Sequence, residues 1–190
     1  MPGAKVRAAL MATDALALEL DPLDPAVQAA LRKPPNSDVL PAALNARLVR
    51  LLERACLPVQ AVAAMHPIMQ AMTVSIIEAA HDGLMVGYGQ EFTLAGFART
   101  RQTPVLSLET AERQLAALIP RDSAAAEKLL ASTLEQIDSG LSRRVLVRMA
   151  AAWERGELDE LAGFERWCDC IKTPEDRAMI GAINDDRNPD

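Results

Sequence analysis

Asp14-Ala15-Leu16-Ala17-Leu18-Glu19-Leu20-Asp21 is the stretch on which the fold turns. Its apolar run is short, ends in acids and is closed by Pro22, the pattern of a strand buried on both faces. A second run of this kind stands at Pro104-Val105-Leu106-Ser107-Leu108-Glu109 and again closes on an acid. Helical crossovers between two such strands make them parallel. Glu19, Asp21 and Glu109 then fall at the C-terminal edge of the sheet, where α/β folds place their sites. Glu19 and Asp21 lie two apart, so on a strand they share a face. A lone strand pair is marginally stable and leaves two edges open. The expected fold is α/β and predominantly helical, with a small parallel sheet (two strands present, others missing) embedded in helices. Residues 1–190 read as a single, incomplete domain with neither repeat nor interdomain linker.

The flanking sequence predicts helices. The first covers 6–12, and Asp24-Pro25 caps and starts one over 25–31, before a loop at Lys33-Pro34-Pro35-Asn36-Ser37. From Pro41, Leu44, Leu48, Leu51 and Leu52 share a helical face up to Pro58, with Cys56 inside that apolar helix. Met65, Met69, Met72 and Ile76 mark the next helix as a core-packing stripe. Gly83, Gly87 and Gly89 make a turn before a helix over 91–101. Thr110 caps the helix after the second strand. Asp122 or Ser123 opens a long helix with the stripe Leu130, Leu134, Ile137, Leu141, Val145, Met149 and Trp153, kinked at Gly140 and ended by Gly156. A short helix over 158–167 precedes a last one capped by Thr173-Pro174, which stops at Asn184-Asp185.

Half of the residues are hydrophobic but only 3% are aromatic, so the core must be aliphatic, a mix that favours helices. A net charge of −6 argues against a nucleic-acid partner, because phosphates require a basic patch. Arg143-Arg144 and Arg47, Arg50 and Arg54 have ordinary helix-surface spacings. Cys168-Asp169-Cys170 lacks the paired C-x-x-C spacing of a zinc site, and the three cysteines read as reduced thiols. Residues 55–77 carry no acidic or basic side chain except His66, yet Pro58, Gln60, Pro67 and Gln70 break them too often for a membrane span. A buried central helix is expected there. The first five residues hold no signal h-region, which implies a cytoplasmic chain as it stands. It would be exported or membrane-anchored if a missing N-terminal segment carried a signal. The open sheet edges make a homo-oligomer one conceivable assembly.

Three converging carboxylates suit a divalent metal or general acid–base chemistry. They equally suit helix caps or ion pairs, with Arg113 or Arg187 as partners. His66, before Pro67, reads as a hydrogen-bonded core or capping residue, and His81 as a helix C-terminal one. H-E-x-x-H, the phosphate-binding P-loop and the G-x-S-x-G elbow do not occur, and Gly87-Tyr88-Gly89 lacks the third glycine of a dinucleotide fingerprint.

Five blocks resemble, in order, segments of the TraB/GumN family. They are residues 15–21, residues 87–94, residues 105–115, Ala152-Trp153-Glu154-Arg155-Gly156-Glu157-Leu158 and Asp186-Arg187-Asn188-Pro189. The resemblance spans nearly the whole chain. It implies an erythromycin-esterase-like, Tiki-like fold and a lineage of metal-dependent peptidases using a divalent metal, Mn or Co. It implies that Glu19 is the site glutamate, as metal ligand or general base, with Glu109 and Arg187 beside the same pocket. Gly89 and Glu91 would contact substrate, Glu91 standing where the family usually has Asp. The family's metal site uses two G-x-x-H motifs, and this sequence has neither. Carboxylates alone bind a transition metal poorly. The resemblance therefore implies an inactive relative that does not hold the metal alone, or a noncatalytic domain binding a peptide or protein.

Overall fold

The computed structural model describes residues 3–32 and 40–184. In chain order these form α1 (Ala4–Met11), β1 (Leu16–Leu18), α2 (Pro25–Leu31), α3 (Ala42–Arg54), α4 (Val59–Val62) and α5 (Pro67–Ala79). Two 3-10 turns, Ala80–Asp82 and Val86–Tyr88, lead to α6 (Gln90–Thr100) and β2 (Val105–Ser107). Then come α7 (Ala111–Leu118), α8 (Ser123–Asp138), α9 (Leu141–Arg155), α10 (Leu158–Ala162), α11 (Phe164–Trp167) and α12 (Pro174–Asn184). The fold is predominantly helical α/β with a two-stranded parallel sheet, as the sequence predicts. The loop expected at Lys33–Ser37 lies outside the described residues.

The core is a three-helix contact. Helices α3, α5 and α8 pack on one another, burying Leu48, Leu51, Leu52, Ile68, Ala71, Val74, Leu129, Leu130, Leu134 and Ile137. On α5 the residues turned into this core, Ile68, Ala71 and Val74, repeat every three positions. The stripe expected from the sequence was displaced: Met65 and Met72 pack at the margin of this core, whereas Ile76 is exposed. Arginine clamps cross the same helices. The Arg47 Nε and Nη2 donate to Asp138 and Glu135 of α8 at 2.6 Å each, and Arg54 Nη2 donates to Glu78 of α5 at 2.6 Å. Such exposed pairs each contribute at most about 1 kcal/mol, so apolar burial does most of the holding.

Side-chain caps set several helix starts as expected. Asp24 accepts from the Ala26 N–H, Thr110 from the Arg113 N–H and Asp122 from the Ala125 N–H. His66 Nδ1 accepts from the Ile68 N–H at 3.2 Å, which makes it a capping histidine. At α12 the cap is reciprocal: the Asp176 N–H donates to Thr173 Oγ1, and the Thr173 N–H donates back to the buried Asp176 carboxylate.

Several expectations need correction. Cys56 lies outside α3, exposed, in a turn at φ 54°. The chain leaves the helix four residues before Pro58 because that turn takes a left-handed residue. The expected buried helix over 55–77 is accordingly two pieces, α4 and α5. Gly140 does not kink one long helix but separates two, at φ 69°. With α9 rotated out of the α8 stripe, Trp153 is 70% exposed. Gly163 likewise divides 158–167 into α10 and α11. Cys168 and Cys170, expected as free thiols, are joined by a disulfide. The turn at Asp169 sets the two Cα atoms 5.1 Å apart, within the usual range for one.

The sheet is less covered than the sequence suggests. Leu18 is buried, and α6 packs against both strands. The alternate residues Ala17 and Leu106, partners in the register, are exposed, Leu106 by 54%. One face is therefore open, and the expectation of burial on both faces fails. No helix among the described residues is long and apolar enough to cross a membrane.

Two measurements check these packing arguments. Leu52 is fully buried, so Leu52→Ala should lower unfolding free energy by about 2–5 kcal/mol, read from denaturant midpoints. Asp82 is held below the ordinary carboxylate range, chiefly by its hydrogen bond from Arg143. A depressed folded pKa gives stability that is complete above the unfolded value and lost as pH falls through the folded one. Arg143→Gln should flatten that acid limb in a urea-midpoint titration against pH.

Candidate carboxylate site at the strand ends

The pairing of β1 with β2 is what assembles the candidate site. The register places Leu16 opposite Val105 and Leu18 opposite Ser107. The ladder continues past the strands: the Leu108 N–H donates to the Leu18 carbonyl at 2.8 Å, and the Glu109 N–H to the Glu19 carbonyl at 2.9 Å. Glu19 and Glu109 are thus adjacent through their backbones at the C-terminal edge of a parallel pair, where the sequence expected them.

Their side chains have protein partners. Glu19 is exposed, and its Oε2 accepts from Gln114 Nε2 on α7 at 3.0 Å. Glu109 is partly buried, with Arg113 Nε 3.7 Å from its Oε1, one helical turn further on. The expected ion pair with Arg113 is therefore present. Within the first turn of α7, Glu112 is held below the ordinary carboxylate range by hydrogen bonds from its own backbone and from the Thr110 hydroxyl. Gln114, inside the block 105–115 but not among the expected site residues, belongs with these acids. Its signal was position, five residues after Glu109 in the block following the second strand.

Asp21 does not join the two glutamates. Because β1 ends at Leu18, the same-face argument does not reach Asp21. Its carboxylate is buried and accepts from the Leu23 N–H at 2.9 Å and from Arg99 Nη2 at 2.8 Å. Its own N–H donates to Ser107 Oγ at 3.0 Å. Asp21 is a structural knot between the end of β1, β2 and α6, and neither Arg99 nor Ser107 carried a motif that foretold this.

Gly89 and Glu91 stand at the start of α6, the helix packed on both strands. A Cβ on Gly89 would lie 3.0 Å from the Val86 carbonyl oxygen, closer than most real contacts, so the turn itself accounts for glycine there. Glu91 is exposed in the first helical turn. Arg187 lies outside the described residues.

The donors present do not fit a transition metal. The strand-end acids are met by an amide and a guanidinium, whereas Mn or Co sites draw affinity and geometry from imidazole or several carboxylates. His66 is engaged at the start of α5, and His81 sits in the 3-10 turn beside Asp82. Among the described residues no three His, Cys, Asp or Glu side chains group as a metal site.

The role given to Asp21 predicts a stability effect. Asp21→Ala removes a buried, hydrogen-bonded charge and should cost about 2–4 kcal/mol by chemical denaturation. Glu19→Ala, at an exposed position, should cost less.

No curated protein and no solved structure matches the chain. The model of the TraB/PrgY/gumN family matches residues 2–190, nearly its full length and inclusive of every block that carried the resemblance. The chain belongs to the TraB/PrgY/gumN family.

Proposed function

We propose that this chain is the central part of a TraB/GumN-type domain of metal-dependent peptidase lineage, and that alone it neither holds Mn or Co nor hydrolyses peptides. The observation that carries the reading is the backbone bond from Glu109 to Glu19, which fixes two carboxylates at the C-terminal edge of a parallel strand pair. That edge is where α/β folds bring reacting groups together. Glu19, held as an acceptor by Gln114, is suited to general-base work or to receiving a peptide N–H. The Arg113 guanidinium beside Glu109 supplies the charge balance that a cation would otherwise supply. In this reading the family resemblance gives Arg187 and Glu91 roles in the same chemistry, and Gly89 shapes the turn that starts α6.

A second reading, a noncatalytic peptide- or protein-binding domain, is favoured by one specific observation. Leu106 and Leu108 are 54% and 71% exposed next to the acids, an apolar surface adjoining an anionic one.

Calorimetric titration of the 190-residue chain with Mn and Co, paired with a fluorogenic peptide assay, separates the two. Neither heat of binding nor turnover is expected from the chain alone. Metal-dependent turnover lost in Glu19→Ala would sink the claim of inactivity and make Glu19 catalytic. Peptide binding without turnover, weakened by Leu108→Asp, would favour the binding domain.

A further inference from the structure

Cys168 and Cys170 form a disulfide that joins no distant parts of the chain. A single residue, Asp169, stands between them. A crosslink this short removes little freedom from the unfolded chain, because that effect grows with the length of the loop closed. The bridge lies in the link between α11 and α12 and ties no third element to them.

Other bonds hold that link. The Asp176 carboxylate, buried in the first turn of α12, accepts from the Lys172 N–H at 3.1 Å and the Thr173 N–H at 2.8 Å. It also accepts from the Ser132 hydroxyl of α8 at 2.9 Å. Gln136, one turn along α8, donates its amide to the Cys170 carbonyl at 2.8 Å. At the other end the Cys168 N–H donates to the Phe164 carbonyl and closes α11. None of these bonds uses a sulfur. Linkage is reciprocal: a fold protects a crosslink only by as much as the crosslink stabilises the fold. Here that protection is small.

The two sulfurs are not equivalent. Cys168 is buried, 7% exposed, whereas Cys170 is partly exposed. A thiolate arriving from solvent therefore reaches Cys170 Sγ first. Cys168 Sγ already accepts from the Cys170 N–H at 3.3 Å, a bond that strengthens once the sulfur carries charge. Attack on Cys170 thus expels the sulfur whose charge a backbone donor meets.

We infer that Cys168-Asp169-Cys170 is a redox-active site that reversibly takes two electrons from small thiols of the glutathione class. The first small thiolate bonds to Cys170 Sγ, the Cys168–Cys170 bond breaks, and Cys168 leaves as a thiolate. A second small thiolate attacks the small-molecule sulfur of that mixed disulfide and releases Cys170 as a thiolate. The protons of the two reacting thiols end on Cys168 and Cys170. Two small thiols are thereby oxidised to one disulfide, and the protein disulfide is reduced to a dithiol. The reverse sequence closes the bridge again. The site is separate from the strand-end carboxylates, so the inference does not depend on the proposed peptidase lineage.

The full chain, held in millimolar reduced glutathione without denaturant and then alkylated, tests this. The peptide carrying both cysteines should take up two labels, and none after transfer to oxidised glutathione. Helical ellipticity should be the same in both states, and the urea midpoints should agree. With oxidised glutathione, Cys168→Ser should form a mixed disulfide at Cys170 at least about tenfold faster than Cys170→Ser forms one at Cys168. Should either variant fail to fold, the acid-quenched native chain decides, with the glutathione adduct located by peptide mass. A bridge that resists glutathione until the chain is unfolded overturns the inference, since structural disulfides behave that way. Loss of helix or a large fall in the urea midpoint on reduction overturns it as well. So does an adduct that forms first on Cys168.

Discussion

The buried residue Asp21 holds the end of β1 against two other segments at once, through its carboxylate and its backbone N–H. That carboxylate accepts from the Arg99 guanidinium of α6, while the backbone N–H of Asp21 donates to Ser107 Oγ on β2, 86 residues away. Closing a loop of that length costs about 4 kcal/mol before any constant term. Ladder bonds that net about 1 kcal/mol each, in strands of three residues, do not offset this comfortably. The strand pair therefore depends on Asp21 and on α6 packing across both strands. The adjacency of Glu19 and Glu109 depends on the pair in turn.

Seen this way, the acids at the sheet edge divide by partner. Asp21 is saturated by a backbone N–H and a guanidinium, and it is buried. Glu19 is exposed and accepts from the neutral Gln114 amide. Glu109 stands between them, partly buried with Arg113 at longer range. Three carboxylates within a few positions of two strand ends thus meet different partners, and the role of Asp21 is architectural.

Much of this was legible from local chemistry. The strands, their direction and the helix starts at Pro25, Ala111 and Pro174 follow from apolar run length, caps and proline placement, all of which act within a few residues. What stayed hidden was set at a distance or by backbone handedness. The left-handed turns at Cys56 and Gly140 ended helices that periodicity alone would have continued. The exposure of Leu106 reflects which sheet face α6 covers, and nothing in an alternating apolar run states that. At the site, Glu19 and Glu109 were readable because strand ends mark them. Arg99 and Ser107 were not, because their partner lies far away in sequence.

The two tryptophans have a consequence for how cooperativity in this protein is seen. Trp153 is largely in solvent, and Trp167 sits beneath Arg148 with its Nε1–H donating to the Glu160 carbonyl at 2.8 Å. Both belong to the α9–α11 corner, whereas the buried set of α3, α5 and α8 is aliphatic throughout. Intrinsic emission therefore watches the corner and is blind to the core. Helical ellipticity weights the long helices that make the core. The two signals trace a single transition only where the corner and the core melt together, so their coincidence is a direct gauge of whether the chain unfolds as one unit.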